Sequence, residues 1–162
     1  MSPLPFEERF DTYAGYRRAL LELIQGATSE IVLFDPDLRE TGLESSVGLE
    51  TLTRFLGGGR QNRLRIVLHE PGYFERECAR LRKLYQVYHH VMALRQAPDD
   101  LRYLTENFAV ADKSRIVVRF HSDHPRGKSV IGEGADADGW RRRFDALWEA
   151  SLETVPVGRL GL

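Results

Sequence analysis

Residues 105–121, TENFAVADKSRIVVRFH, decide the fold of this chain. Two runs rich in branched and aromatic residues, 107–111 and 115–121, are separated only by the polar residues 112–114. Runs of this composition around so short a connection are typical of two antiparallel strands joined as a hairpin. We therefore expect a hairpin here, and the elements around it determine the sheet that it joins.

Outside the hairpin, apolar runs predict strands at 30–35, 64–69 and 91–96, and a weaker run predicts another at 129–132. The nearly continuous apolar character of the first two is typical of strands that helices cover on both faces. The resulting prediction is an α/β domain with a mixed β-sheet and helices on both of its faces.

The spacing of apolar residues at steps of three and four predicts four helices. The first begins near Asp11, and the second follows Ser45. The third follows Pro71 and Gly72 and carries Cys78 and Tyr88 on one apolar stripe, and the fourth begins at Asp136 or Asp138.

Length and composition exclude several classes of protein. With 162 residues, of which 42% are hydrophobic, the chain can form one domain with its own core. We expect this domain at 11–153, between tails at 1–10 and 154–162. The single cysteine excludes an internal disulfide and multi-cysteine zinc sites.

Hydropathy and charge also constrain the cellular location and the partners of the protein. No apolar run is long enough to cross a bilayer, and the N-terminus lacks the pattern of a signal peptide, so we predict a cytoplasmic protein. The net charge of -1 gives no nucleic-acid signal.

The hairpin and the order of elements resemble one half of the phospholipase D-like fold, whose motif is His-x-Lys-x4-Asp. In this chain Thr105 stands at the histidine position, Asn107 at the lysine position, and Asp112 matches the aspartate. The resemblance extends to the strand at 30–35 and to the last helix, which contains Phe144.

The resemblance implies a mechanism that these residues do not support. In that family a histidine from each of two motifs attacks phosphorus or protonates the leaving oxygen, and the lysines hold the phosphoryl oxygens. A threonine hydroxyl needs a base to become a nucleophile, and no histidine is adjacent to Thr105 in the sequence. Asn107 lacks the positive charge with which a lysine would stabilise the phosphoryl oxygens. We therefore expect a pseudoenzyme with no catalytic residues and no metal or other cofactor.

Other polar residues near the hairpin suggest two further sites. Arg115, Arg119, Arg126 and Lys128 lie in one short stretch, where they could bind a small anion, and Gly127 allows close approach of the backbone. Asn107 would join such a site. Charged residues that protect an edge strand would give the same pattern.

The second set contains histidines. His121, Asp123 and His124 follow the hairpin, and His69 ends an earlier strand, so together they could serve a metal- or histidine-dependent hydrolase of the phosphodiesterase class. A solvated turn explains the same residues, because Pro125 lies among them. The pair Asp35 and Asp37 at another strand end also has two interpretations, a ligand site or a turn.

We therefore predict a bacterial, phospholipase D-like domain that has lost its catalytic motif and acts as a binding or assembly module. Active members of the family need two facing motifs, and this chain has one. The prediction that follows is a homodimer formed through the motif-bearing face, with a small anion as a further candidate partner. The hydrolase that uses His69, His121, Asp123 and His124 is the alternative.

Overall fold

The computed structural model describes residues 6–132, 135–151 and 153–154. The strands in this part of the chain are β1 (Phe6–Phe10), β2 (Glu30–Asp35), β3 (Arg63–Leu68), β4 (Met92–Gln96), β5 (Asn107–Ala111), β6 (Arg115–Arg119), β7 (Gly127–Ile131) and β8 (Glu153–Thr154). The helices are α1 (Tyr13–Gly26), α2 (Ser46–Gly57), α3 (Gly72–Glu77), α4 (Ala79–Tyr88) and α5 (Ala137–Ala150).

All of these strands join one mixed sheet in the order β1-β7-β6-β5-β2-β3-β4-β8. β2, β3 and β4 are parallel, whereas β5 runs antiparallel to β2 and begins the antiparallel half. The predicted hairpin is β5 and β6, paired from Asn107 opposite Arg119 to Ala111 opposite Arg115. The hairpin therefore joins the sheet directly beside β2.

Alternation along the strands divides the core into two layers, as a sheet covered on both faces requires. One face carries Leu33, Ala109 and Val117 and packs against α1, α2, α3 and α4. The opposite face carries Phe34, Phe108 and Val118 and packs against Phe144 and Leu147 of α5. The predicted α/β class, with helices on both faces of a mixed sheet, is confirmed.

Two features differ from the sequence prediction. Residues 6–10, expected within a tail, form the edge strand β1, which pairs with β7 from Phe6 opposite Ile131 to Phe10 opposite Gly127. The third predicted helix is broken at Cys78, whose φ of -107° and ψ of 58° are not helical. The break gives α4 its own amino terminus, where the Glu44 carboxylate accepts the backbone N–H groups of Arg80 and Leu81.

No helix in the described part of the chain is long and apolar enough to span a membrane.

Candidate functional site

The topology brings two of the three motif positions, Thr105 and Asn107, to one edge of the sheet. β2, β3, β4 and β6 end at this edge, and β5 and β7 begin there. We call it the site edge. Ligands of α/β proteins commonly bind at the carboxyl ends of parallel strands, so this is where a functional site is expected.

Four side chains form a buried polar cluster at the site edge, namely Tyr16, Asp35, Asn107 and Arg119. Asp35, Asn107 and Arg119 are each 1% exposed. Arg119 Nη2 lies 3.5 Å from Asp35 Oδ1, and the Tyr16 hydroxyl donates to the same oxygen at 3.2 Å. The Arg119 guanidinium stacks over the Tyr16 ring, 4.8 Å from its centroid.

Asn107 completes the coordination of this guanidinium. With its amide oxygen turned toward Arg119, an orientation assigned from the hydrogen-bond network, it accepts from Nε and Nη2 at 3.2 Å each. Arg119 Nη1 donates to the Ser122 carbonyl at 3.3 Å. The side chain at the lysine position of the motif therefore holds a buried arginine.

The electrostatics of the cluster follow from its burial. Removal from water raises the pKa of the Asp35 carboxyl, although Arg119 and the N–H donors of Leu38 and Asp37 lower it. Burial, with the nearby Asp35 charge, also raises the pKa of Tyr16 well above its usual value. Asp35 is both the counter-charge of Arg119 and a turn residue, since its Oδ2 accepts from Leu38 N at 2.7 Å.

The third motif position, Asp112, lies at the opposite edge of the sheet, in the turn between β5 and β6. Its φ of 54° is left-handed, a conformation that aspartate tolerates. Its carboxylate accepts five hydrogen bonds of 2.8 to 3.1 Å, from the backbone N–H groups of Thr28, Ser29 and Glu30 and from the hydroxyls of Thr28 and Ser29. Burial opposes its ionisation, but these hydrogen bonds outweigh burial and lower its pKa.

Thr105 and Asn107 do not share one site, although residues two positions apart in a strand would face the same side. Thr105 lies before β5, so alternation does not orient it. It lines a cavity of about 620 Å³ on the α5 side of the sheet, whereas Asn107 faces Arg119 and Tyr16 on the α1 side. We call this cavity the apolar groove; it is lined by Phe34, Leu101, Tyr103, Leu104, Thr105, Glu106, Phe108, Phe120, Arg143, Ala146, Leu147 and Ala150.

The four cations of the predicted anion site are not brought together. Arg119 is buried in the polar cluster, while Arg115 begins β6, at the opposite edge, and packs over Gly26. Lys128 Nζ lies 3.5 Å from Glu7 Oε1. Arg126 lines a cavity at the site edge.

Gly127 serves packing, because a Cβ there would lie 2.0 Å from the Val118 carbonyl oxygen and 2.6 Å from the Phe10 ring. The space beside Gly127, where the sequence predicts that an anion could approach the backbone, is thus filled by the protein's own atoms.

The histidines of the alternative site lie in two places. His69 contacts the Leu104 carbonyl through Nε2 at 2.9 Å and packs edge-on against Phe34. His121 and His124 have ring centroids 5.7 Å apart. They line a second cavity at the site edge, which we call the histidine pocket; it has a volume of about 550 Å³ and is lined by Asp11, Phe120, His121, His124, Pro125 and Arg126.

Within residues 6–132 and 135–151, no three His, Cys, Asp or Glu side chains are placed to hold a metal ion. His69, His121, Asp123 and His124 therefore do not form the ligand set that the metal-dependent alternative requires. Asp123 instead serves the turn, where its backbone N–H donates to His121 Nδ1 at 3.1 Å.

We expect Asp35→Asn to destabilise the fold by about 3–5 kcal/mol, because it leaves Arg119 buried without a counter-charge. Urea unfolding of both single variants and of the Asp35→Asn/Arg119→Met double variant measures the coupling. The double variant should lose clearly less unfolding free energy than the sum of the losses in the two single variants. Additive losses would refute the ion pair. The exposed Asp123→Asn is the matched control.

We expect Asp112→Asn to lose about 2–3 kcal/mol at neutral pH, because the hydrogen bonds lose the carboxylate charge while the residue still tolerates the left-handed turn. A lowered pKa in the folded state gives stability that is present above the ordinary carboxyl pKa and is lost as pH falls through the lowered one. The difference from wild type in the free energy of unfolding should therefore shrink below about pH 3.9. A pH-independent difference, like that expected for exposed Asp100→Asn, would contradict the role of the charge.

Comparisons with solved structures identify the fold. Nuc from Salmonella typhimurium, a phospholipase D family member, is 13% identical with a TM-score of 0.60, and the match covers 92% of this chain and 97% of Nuc. Phosphatidylserine synthase of Haemophilus influenzae Rd KW20 is 10% identical with a TM-score of 0.66, over 98% of this chain and 41% of the synthase. The chain therefore has the phospholipase D-like fold that its hairpin predicts.

TrmBL2, an archaeal chromatin protein described with a novel mode of DNA binding, is also similar, with 14% identity and a TM-score of 0.64 over 90% of this chain. This chain spans about half of TrmBL2, 52% of its length. No curated protein sequence gives a significant match. Residues 12–160 match the family described as "Domain of unknown function (DUF7931)", and the chain belongs to that family.

Proposed function

We propose that this protein is a non-catalytic, phospholipase D-like module that binds a ligand and assembles as a homodimer. The observation that carries the proposal is the state of Asn107. The residue at the lysine position is 1% exposed and bonded to Arg119, whose charge faces Asp35. The positive charge of Arg119 is thus neutralised inside the protein and is out of reach of a phosphodiester.

Thr105 supports the same proposal from the histidine position. Its hydroxyl has no base as a hydrogen-bond partner among the described residues, and the neighbouring side chains of the apolar groove are largely aliphatic and aromatic. A hydroxyl in such surroundings stays protonated at neutral pH and is a poor nucleophile. Neither motif position at the site edge offers the groups that phosphoryl transfer needs.

The proposed homodimer rests on exposed aromatic side chains near Thr105. Tyr103 is 73% exposed and Phe120 is 38% exposed, and both border the apolar groove at the site edge. Large apolar side chains grouped on a surface are typical of interaction sites. A second copy is the partner that the single motif favours, since active relatives of this fold bring two motifs together. The cytoplasmic, bacterial setting stays a prediction.

We expect no hydrolysis of bis(p-nitrophenyl) phosphate above the rate in buffer, with or without added Mg²⁺, Mn²⁺ or Zn²⁺. The reason is that Asn107 lacks the charge of the motif lysine and Thr105 lacks the nucleophilic imidazole of the motif histidine. Release of p-nitrophenolate measures the turnover. The His121→Ala and His124→Ala variants are assayed alongside. Turnover by the wild type that disappears in either variant would overturn the proposal and establish the hydrolase.

We expect sedimentation equilibrium to give twice the chain mass of 18.6 kDa. Tyr103→Glu should shift the species to the monomer, because it places a charge in the proposed contact between the two copies, at the border of the groove. The matched control is Val87→Glu, since Val87 is 60% exposed on α4, away from the groove, and its variant should stay dimeric. A wild-type protein found only at 18.6 kDa would refute the dimer.

A further inference from the structure

Two cavities at the site edge share one wall. The apolar groove and the histidine pocket are both lined by Phe120, the residue that follows β6. Their volumes, about 620 and 550 Å³, lie within the range of small-molecule sites. Phe120 is therefore the residue at which the two cavities adjoin.

The two cavities differ in chemistry. The groove has a floor of Phe34 and Phe108 from the sheet and a wall of Leu147 from α5. Its cation, Arg143, is engaged, because Nη2 lies 2.6 Å from Glu106 Oε1 and the guanidinium stacks over Trp140. This end favours an apolar body without charge of its own.

The histidine pocket is the polar end. The exposed Arg126 is its permanent cation, and the rings of His121 and His124 lie beside it in the wall. Two carboxylates belong to the same region. Asp11 lines the pocket, and Asp123 Oδ2 lies 3.8 Å from His121 Nδ1, where it is turned toward the histidine. An arginine fork binds a carboxylate through two parallel hydrogen bonds, so Arg126 is suited to an anionic head group.

We propose that the two cavities together bind a single-chain amphiphilic carboxylate. The hydrocarbon chain lies in the apolar groove, crosses Phe120, and places its carboxylate at Arg126. The inference names the ligand class for the binding module proposed above and rests on that proposal. It assigns no chemical step to the protein, because the ligand is held and released unchanged.

Isothermal titration calorimetry of the whole protein with decanoate, below the critical micelle concentration of decanoate, tests the role of the hydrocarbon tail and that of the carboxylate together. Decanoate should bind at least about tenfold more tightly than hexanoate, because each buried methylene contributes to affinity. It should also bind at least about tenfold more tightly than decyltrimethylammonium, which has the same chain and the opposite charge. Absence of decanoate binding, equal affinity for hexanoate, or equal affinity for the cation would each overturn the proposal.

Matched variants locate the site. Ala146→Trp fills the groove from an exposed position of α5 and should abolish binding, whereas Arg142→Trp on the same helix, outside the groove, should leave it unchanged. Arg126→Ala should weaken binding by about tenfold, and exposed Arg60→Ala should not. Decanoate affinity unchanged by Ala146→Trp would refute the location. Phosphodiester turnover would refute the proposed function but leaves these affinities as a separate result.

Discussion

The contact between Arg119 and Asp35 joins the two halves of this sheet at the site edge. Asp35 ends β2, the parallel strand that borders the antiparallel half, and Arg119 ends β6, two strands away. Between them, β5 contributes Asn107 to the same guanidinium. Burial of both charges is tolerable only because each polar atom has a partner, supplied by Tyr16, Asn107, Ser122 and the Leu38 amide. The conformation of this edge, including the left-handed Leu38, depends on that set of hydrogen bonds.

The three motif positions have separated into different roles in one chain. Asp112 keeps a structural role, since it ties the turn of the hairpin to the start of β2. Asn107 belongs to the core, and Thr105 belongs to a surface cavity. The positive charge nearest to Asn107, that of Arg119, thus belongs to a buried network and is not presented to solvent. The cations left near the surface of the site edge are Arg126 and the engaged Arg143 among the residues that line its two cavities.

Much of the fold can be predicted from the sequence, because alternation and the short polar turn define β5 and β6 locally. The edge strand β1 could not be, since FEERF is mostly charged and is held by pairing with β7, more than a hundred residues later. The break at Cys78 has a similar cause, because its capping residue, Glu44, comes from a distant loop. The ion pair of Arg119 with Asp35 likewise joins residues that are far apart in the sequence. One local signal was available: Arg119 and Asn107 share a strand face with Val117 and Ala109, and polar residues on a buried face need partners.

The hydrogen bonds of Asp112 also bear on how the chain folds. They join residues 82 to 84 positions apart, and β2 likewise pairs with β5 across the intervening helices. Contacts of such sequence separation form slowly, because a long loop must close before they contribute. During synthesis from the amino terminus, the apolar strand β2 has one open side until the hairpin has left the ribosome. The nascent chain therefore exposes one side of β2 until the hairpin pairs with it, so the hairpin that marks the fold in the sequence also completes the pairing of this strand.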